Sequence, residues 1–467
     1  MSESMTFGLS EDLINSIQQV LEGNARIDKA MIFGSRAKGN YREASDIDLA
    51  VKGYGLDYED VLSLSVKLDA LNLPYDIDLL DYDKINEPAL VKHIDRVGVE
   101  VYSRWKEYIL GEVIEIKYGK DHKSLTTGNI PVYGSGGIMR YADKSIYEGE
   151  SILIPRKGSL NNIYYLDQPF WTVDTLFWSK INQDVVFPRF LFYQLTILDF
   201  ASLNVGSAVP SLTVPVLNDI KISLPPIDEQ VFISKTLSSL DDKIELLNKQ
   251  NKTLEQLAET LFRQWFVEEA EDDWDKMSLY EAIELVGGGT PKTNVSEYWN
   301  GNINWLSGGD ISKNHKSVVM NTEKTITESG LKRCNSNLLP KFSTVISARG
   351  TVGKYCMLYE PMAFSQSNYG IEPKYDDCYF FTYLLIANSV NELQSAAYGS
   401  VFDTITTSTF KEYNIKLPEP NVIKKFEKEV TPLFTKIVSN QSQIYTITKL
   451  RDTLLPKLMS GEAKVKM

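Results

Sequence analysis

The sequence has little cysteine and histidine, and it lacks any long apolar run. Among its 467 residues are three cysteines and three histidines. The cysteines Cys334, Cys356 and Cys378 are odd in number and form no CxxC pair, so neither a disulfide framework nor a zinc site is supported. No apolar stretch is long enough to span a bilayer, and the start is polar and acidic where a signal peptide would be basic and then apolar. We therefore expect a cytoplasmic protein without a membrane partner.

The net charge of −13 argues against a nucleic-acid partner only when the chain is taken as a whole. Residues 1–104 and 228–275 each carry −8, whereas residues 105–227 carry −1 and residues 276–467 carry +4. Because charge distribution decides polyanion binding, the second and fourth segments remain possible nucleic-acid binders.

A heptad pattern of apolar residues occurs twice, and it predicts two long helices that pack together. Both copies follow a 3,4 spacing, and each position of the second lies 193 residues after its counterpart. In an antiparallel pair, Asn251 of the first copy falls opposite Asn440 of the second, which predicts a buried polar pair that fixes the register at a cost in stability. Asp228 and Asn421 are the predicted N-caps, and Pro432 and Pro456 predict a bend or break. The first copy is Leu237, Leu240, Ile244, Leu247, Asn251, Leu254, Ala258, Leu261 and Trp265.

The segments that precede these helices also form a repeat. Residues 110–116 match residues 279–285 at a shift of 169, residues 128–130 match 301–303 at 173, and Gly158 and Pro169 match Gly350 and Pro361 at 192. The growing shift places the largest insertion between about residues 311 and 341. Short strands with glycine turns and one helix per copy predict two α+β units.

Two acidic strands in the first hundred residues predict a metal site. Asp46 and Asp48 alternate with Ile47 and Leu49, so both carboxylates lie on one face of a strand. Such a pair repels unless a cation lies between its members, and Mg²⁺ commonly binds one or two carboxylates plus substrate phosphates. Gly34 and Ser35 follow an earlier strand and would offer N–H groups and a hydroxyl to phosphates.

A third acid on the neighbouring strand would complete this site. Asp78 and Asp76 share a face there, and we prefer Asp78 for its place before Leu79 and Leu80. His93 is predicted to lie on the polar face of a late helix, with catalysis as the less favoured alternative.

The Gly-Ser pair, the Ser45–Leu49 strand and Asp78 together resemble the small nucleotidyltransferases of the DNA polymerase beta superfamily. The resemblance covers about residues 10–103. It implies transfer of a nucleoside monophosphate from an NTP, with Asp46, Asp48 and Asp78 as catalytic residues and metal ligands, Gly34 and Ser35 as nucleotide-binding residues, and Mg²⁺ and an NTP as cofactors.

From residue 105 onward, the order of globular unit and long helix, twice, resembles the specificity subunit of type I DNA restriction-modification systems. The short sequence segments that carry the resemblance include Leu224-Pro225-Pro226, Ser239-Leu240-Asp241-Asp242 and Leu450-Arg451-Asp452. It implies two target recognition domains that each read half of a bipartite double-stranded DNA site. It also implies partner methyltransferase and restriction subunits, with S-adenosylmethionine bound by the methyltransferase subunit and no cofactor in the specificity half. A first helix of about 58 Å exceeds one DNA turn of roughly 34 Å, as a spacer requires.

The DNA-contacting residues are predicted from basic turns at equivalent places in the two copies. Arginine can read guanine bidentately, but most protein–DNA hydrogen bonds reach phosphate and sugar, so an ordinary solvated turn is an equal alternative. The candidates are Arg156, Lys157, Arg349, Lys354, Arg140 and Lys120, with Lys123, Lys292 and Lys313 as weaker ones.

The predicted fold is therefore an α/β multidomain protein: a small α/β nucleotidyltransferase palm, two α+β target recognition domains, and two long helices forming an antiparallel coiled coil. The predicted boundaries are 1–103, 104–227, 228–270, 271–420 and 421–467. In this interpretation the specificity half is not an enzyme and the N-terminal domain transfers nucleotides. The alternatives are an N-terminal structural module that only binds nucleotide or DNA, or a nucleotidyltransferase effector that uses the DNA-binding half for targeting. Antiparallel helices would also place the N-terminal domain near residues 461–467.

Overall fold

The computed structural model describes residues 7–206, 209–334, 336–398 and 403–464. The chain divides into two compact units, which are described separately. Unit 1 comprises Met1–Ser238 and Asp452–Met467, and unit 2 comprises Ser239–Arg451. Among the described residues, no helix is both long enough and apolar enough to cross a membrane.

The N-terminal domain of unit 1 is a four-stranded mixed sheet with helices packed on it. Ser10 caps the first helix, because its side chain accepts a hydrogen bond from Leu13 N. The strand order is β3-β2-β1-β4, where β2 pairs in parallel with β3 and β1 is antiparallel to both of its neighbours. The elements are α1 (Glu11–Glu22), β1 (Ile27–Ile32), α2 (Gly34–Ala37), β2 (Ile47–Gly53), α3 (Tyr58–Asp69), β3 (Ile77–Asp81), α4 (Pro88–Val97) and β4 (Val99–Ser103).

The first repeat, also in unit 1, contains three small sheets, ordered β10-β9-β12-β6, β11-β7-β8 and β13-β5. A long helix, α8, follows it directly. The elements are β5 (Lys106–Ile109), α5 (Leu110–Val113), β6 (Ile114–Tyr118), β7 (Ile130–Gly134), β8 (Gly137–Ala142), β9 (Ser151–Pro155), β10 (Tyr164–Leu166), β11 (Trp171–Thr172), β12 (Leu176–Ile181), α6 (Pro188–Thr196), α7 (Val214–Asn218), β13 (Lys221–Leu224) and α8 (Ile227–Arg263).

The second repeat, in unit 2, has the same plan with additions. Its sheets are ordered β15-β22-β19-β20-β17, β18-β16-β21 and β14-β23. The elements are β14 (Asp275–Ser278), α9 (Leu279–Ala282), β15 (Ile283–Gly287), β16 (Trp299–Leu306), α10 (Gly308–Lys313), β17 (Val318–Val319), β18 (Lys324–Ile326), α11 (Glu328–Arg333), β19 (Thr344–Ser347), β20 (Tyr355–Leu358), β21 (Ala363–Phe364), β22 (Asn368–Pro373), α12 (Tyr379–Tyr398), α13 (Thr407–Glu412), β23 (Asn414–Leu417) and α14 (Pro420–Met459).

Equivalent hydrogen bonds confirm the repeat predicted from sequence. Leu110 N donates to Ile220 O in the first copy, and Leu279 N donates to Tyr413 O in the second, both at 2.8 Å. These residues are related by the shifts of 169 and 193 found in the sequence. The predicted insertion at about residues 311–341 contains β17 and α11, for which the first repeat has no counterpart among its described residues. It also contains β18, which pairs antiparallel with β16 as β8 does with β7.

Within unit 2, α8 and α14 pair antiparallel through polar contacts in the predicted register. Asn440 Nδ2 donates to Asn251 Oδ1 at 2.9 Å, and Arg451 Nη1 lies 2.8 Å from Asp241 Oδ1. Asn440 is 0% exposed and Asn251 is 6% exposed, so the predicted Asn pair is confirmed as a buried contact. Asn440 Oδ1 is buried without a hydrogen-bond partner among the described residues.

The predicted N-caps of the long helices are wrong, and so is the predicted break at the prolines, whereas the alternative of a bend there stays a prediction. The helices begin at Ile227 and Pro420, so Asp228 and Asn421 lie in the first turn and are not the N-caps. The starts are nevertheless 193 residues apart. The helix α14 is continuous through Pro432 and Pro456, so neither proline breaks it. Each proline removes one backbone hydrogen bond, and at Pro432 the packing of Val430 and Phe434 in the unit 2 core offsets this loss.

Candidate functional site

The predicted metal-binding carboxylates lie at one edge of the N-terminal sheet. Asp46 immediately precedes β2, and Asp48 is the second residue of that strand. The parallel pairing of β2 with β3 places Asp78 directly opposite Asp48. Asp46 and Asp78 are exposed and Asp48 is half-buried. Asp76, the alternative third acid, precedes β3, where its carbonyl accepts from Ile47 N. The register therefore favours Asp78.

The electrostatics of this edge favour a cation. Burial raises the pKa of Asp48, and the nearby carboxylates of Asp78 and Asp46 raise it further. His93 and Lys38 oppose this change in the Asp48 pKa, which places the half-buried His93 of α4 in the electrostatic environment of the acids.

The donor set fits a hard divalent ion such as Mg²⁺, because oxygen ligands are what such ions prefer and substrate phosphates commonly complete their coordination. Among the described residues, no three His, Cys, Asp or Glu side chains are already arranged to hold a metal ion. Two carboxylates together with phosphate oxygens would meet the requirement of such a site.

Gly34 is required by its conformation and by its contact with Asp48. Its φ is +70°, and an added Cβ would lie 1.9 Å from Asp48 Oδ2. Any other residue would therefore displace the carboxylate and strain the backbone. Gly34 begins α2, which also carries the half-buried Ser35, so the Gly-Ser segment lies against the acids as the sequence predicts.

Arg36 is a positioning residue that the sequence did not reveal. Although charged, it is 1% exposed. Its guanidinium donates to Ser45 O at 2.6 and 3.0 Å and to Asp46 O at 3.2 Å, and its Cζ lies 4.2 Å from the centre of the Tyr75 ring. The side chain thereby fixes the segment that carries Asp46. An arginine beside a glycine turn usually indicates a solvated loop, so no sequence signal separated the two cases.

The N-terminal domain joins the first repeat through only two residues, Arg104 and Trp105, as predicted. Arg104 N donates to Asp28 O at 2.8 Å, and its Nε lies 3.0 Å from Glu229 Oε2 in a nearly buried ion pair. Lys464 forms an ion pair with Asp28, which confirms the predicted place of the C-terminal tail for its described part. Residues 465–467 of that prediction lie outside the described residues.

In the first repeat, predicted DNA-contacting residues border a cavity of about 730 Å³. Its lining includes Asp121, Lys123 and Asp174. Arg156 Nη1 donates to Asp174 O at 3.2 Å, which ties the basic turn after β9 to this lining. Lys157 is the next residue of the turn, and Lys120 directly precedes the lining residue Asp121.

Arg140 differs from these residues because its guanidinium donates to Leu125 O at 2.9 Å within its own repeat. In the second repeat, Arg349 is exposed in the turn between β19 and β20, and Lys354 is half-buried at the end of that turn. Ile346 pairs with Tyr355 across this hairpin.

Family models match two parts of the chain. A model described as type I restriction modification DNA specificity domain matches residues 102–256 and 271–449. A model described as polymerase beta, nucleotidyltransferase matches residues 15–107.

The chain is also similar to curated specificity subunits of type I restriction enzymes and to one solved structure of such a subunit. The chain is 25% identical over 366 residues to the type I restriction enzyme MjaIX specificity subunit of Methanocaldococcus jannaschii, covering 72% of this chain and 84% of the relative. It is 22% identical over 462 residues to the HindI specificity subunit of Haemophilus influenzae, covering 77% and 100%. The S subunit of a type I restriction-modification system from M. genitalium shares the fold, with a TM-score of 0.55, 16% identity, and coverage of 78% and 96%.

Proposed function

Since the chain belongs to the type I restriction-modification DNA specificity family and carries a nucleotidyltransferase domain of the polymerase beta type at its N terminus, we propose that it reads a bipartite DNA site and that its added domain transfers nucleotides. The observation that supports bipartite reading is the duplication: two repeats with equivalent hydrogen bonds, each followed by a long helix. Two unlike readers on one chain match a site with two unlike halves.

The basic turns supply the DNA contacts in this proposal. Arg156 and Lys157 in the first repeat, and Arg349 and Lys354 in the second, would neutralise phosphates and bring the repeats onto the duplex. Lys120 would contribute beside the first cavity. Because Arg140 is hydrogen-bonded within its own repeat, we assign it a smaller share.

The antiparallel helices serve as the spacer between the half-sites in this proposal. The Asn251–Asn440 contact and the Asp241–Arg451 ion pair support a single defined register. Methylation and cleavage would belong to partner methyltransferase and restriction subunits, and S-adenosylmethionine to the former. Such an assembly would act in the cytoplasm.

The N-terminal domain would bind an NTP at the edge formed by β1, β2 and β3. The Gly34–Ser35 segment would receive phosphates, while Asp46, Asp48 and Asp78 would bind Mg²⁺, which when present orients the phosphates and neutralises charge in phosphoryl transfer. Arg36 keeps the Asp46 segment in place. The carboxylates, the glycine that contacts Asp48 and the buried arginine together support activity over a purely structural role for the domain.

Mapping modified bases tests the specificity role. The chain is co-expressed with its cognate methyltransferase subunit and the methylated positions are sequenced; we expect two short motifs separated by an unread gap. A double Arg156→Ala, Lys157→Ala variant should bind DNA more weakly across all sequences, with a salt dependence reduced by about one unit of slope per lost phosphate contact. Lys221→Ala, which changes an exposed lysine of the same repeat, is the control. A continuous motif, or none, contradicts the proposal.

Incubation with labelled NTPs and Mg²⁺ tests the added domain. We expect transfer of label to a protein or nucleic acid of the assembly, and loss of transfer in an Asp46→Ala, Asp48→Ala variant. Glu59→Ala, at an exposed acid on α3, should retain activity. If NTP is neither transferred nor bound in a metal-dependent manner, the domain is not a nucleotidyltransferase. Transfer that requires cognate DNA would favour the alternative, a nucleotidyltransferase effector targeted by the DNA-binding half.

A further inference from the structure

The two repeats place different polar residues at one equivalent position. Arg156 N donates to Thr175 O at 2.8 Å, and Ala348 N donates to Ser367 O at 3.0 Å. Both donor and acceptor are shifted by 192 residues, so these bonds define the same corner of the fold. The residue before each acceptor is Asp174 in the first repeat and Gln366 in the second, and both are exposed.

The cations around this corner are shared by the two repeats. Lys123 corresponds to Lys292 at the shift of 169, and Lys157 corresponds to Arg349 at the shift of 192. All four are exposed. Phosphate contacts carry no sequence information, so readers of different half-sites can retain them at equivalent positions. Base contacts must differ between the repeats, and Asp174 and Gln366 do differ.

The carboxylate of Asp174 would be repelled by a phosphate, whereas it could accept a hydrogen bond from a base edge. It lines the 730 Å³ cavity together with Lys123. Arg156 binds the main-chain oxygen of Asp174, so this bond leaves the carboxylate available. A carboxylate only accepts hydrogen bonds, and cytosine presents the N4 amino donor in the major groove. Adenine also has an amino group, but its N7 acceptor lies beside it and would repel the carboxylate.

Gln366 has a different hydrogen-bonding capacity at the same corner. Its Oε1 accepts from Thr290 Oγ1, and Thr290 corresponds to Asp121 of the first repeat. This contact holds the amide in one orientation. An amide both donates and accepts, which matches the adjacent N7 acceptor and N6 donor of adenine.

We propose that Asp174 and Gln366 are specificity-determining residues, with Asp174 reading a cytosine in one half-site and Gln366 reading an adenine in the other. The inference rests on the proposed reading of a bipartite DNA site. The shared lysine and arginine positions supply the sequence-independent contacts around these two residues.

Two nearly isosteric substitutions test the assignment because they change hydrogen-bonding capacity and leave side-chain volume almost unaltered. Asp174→Asn should change one position of one half-site from cytosine to adenine. Gln366→Glu should change one position of the other half-site from adenine to cytosine. Each change should alter discrimination at that position by about 5- to 150-fold. The readout is methylation mapping of the whole complex, together with competition between duplexes that differ at the single base pair.

The outcomes separate this inference from the proposed function. A wild-type map without two half-sites would refute the proposed function itself. A bipartite wild-type map that stays unchanged in both variants would refute only the base-reading roles, as would a uniform loss of affinity across all sequences. Lys157→Ala is the matched control, since a phosphate contact should weaken binding without changing either half-site.

Discussion

Replacing Asn251 and Asn440 with leucine, singly and together, tests whether the buried pair fixes the helix register at a cost in stability. The two amides share a 2.9 Å hydrogen bond, and Asn440 Oδ1 is buried without a partner among the described residues. A single leucine removes the 2.9 Å hydrogen bond and leaves the other amide in the interior without its asparagine partner; after Asn251→Leu, Asn440 Nδ2 keeps only its 3.3 Å hydrogen bond to Gln250 Oε1. The double replacement leaves two apolar side chains in contact.

The expected magnitudes follow from these contacts. An unpaired buried polar group costs about 1–3 kcal/mol, while a buried leucine side chain contributes roughly 1.5–3 kcal/mol. The stability of each single variant should therefore be close to that of the wild type, because the cost of the unpaired amide and the gain from the buried leucine offset each other. The gain in stability of the double variant should exceed the summed changes of the two single variants by about 1–3 kcal/mol.

Hydrogen exchange measured by mass spectrometry suits this test, because it reports local opening free energies of peptides from the middle of α8 and α14 in the intact chain. The comparison cycle uses Asp241→Asn and Arg451→Gln, whose side chains are 27% and 28% exposed. That more exposed ion pair should couple by no more than about 1 kcal/mol. Additivity of the two leucine replacements within about 0.5 kcal/mol would refute the proposed role of the Asn pair.

Three further predictions concern single side chains. Gly34→Ala should reduce nucleotidyl transfer by about 100-fold or more by displacing the Asp48 carboxylate, while DNA binding should not change. Retained transfer would contradict the importance of the contact between Gly34 and Asp48. Arg36→Lys should destabilise the N-terminal domain by about 3–5 kcal/mol, since several main-chain carbonyls lose buried donors; a thermal melt checks this. Burial raises the pKa of Glu427 from its usual 4.5 to about 7. As the pH rises, the carboxyl ionises in the unfolded state before it does in the folded state. The free energy of unfolding of the wild type, relative to that of Glu427→Gln, should therefore fall by up to about 3 kcal/mol between about pH 4.5 and 7, and the stabilising contribution should be fully present below that range. Urea-unfolding free energies of the two proteins that stay parallel across this pH range would refute the prediction.

The sequence predicted the repeats and helix pairing because those features are periodic. A 3,4 spacing determines which residues face a partner, and a constant shift of 193 determines the register in which Asn251 meets Asn440. The strand alternation around Asp48 similarly predicted which carboxylates share a face, and the parallel register places Asp78 beside them.

Features that depend on tertiary packing were not predictable in this way. The burial of Arg36 depends on carbonyls from distant parts of the domain, including Phe7 O at 3.1 Å. The continuity of α14 through Pro432 depends on core packing that local helix rules do not include. The shift of 192 relates Asp174 to Gln366 in sequence, but the hydrogen bonds of the folded repeats were needed to place both residues at the same corner.

The division of unit 1 between both ends of the chain has a consequence for protein synthesis. Leu237 and Leu458 belong to the same core, but the ribosome makes the whole of unit 2, residues 239–451, between them. At roughly 5–20 residues per second, the interval is on the order of 10–40 s. During this time residues 1–238 of unit 1 lack the C-terminal helical segment of their core, so apolar surface stays exposed and accessible to chaperones. Premature termination just before Asp452 would thus leave unit 1 without the segment that completes its core.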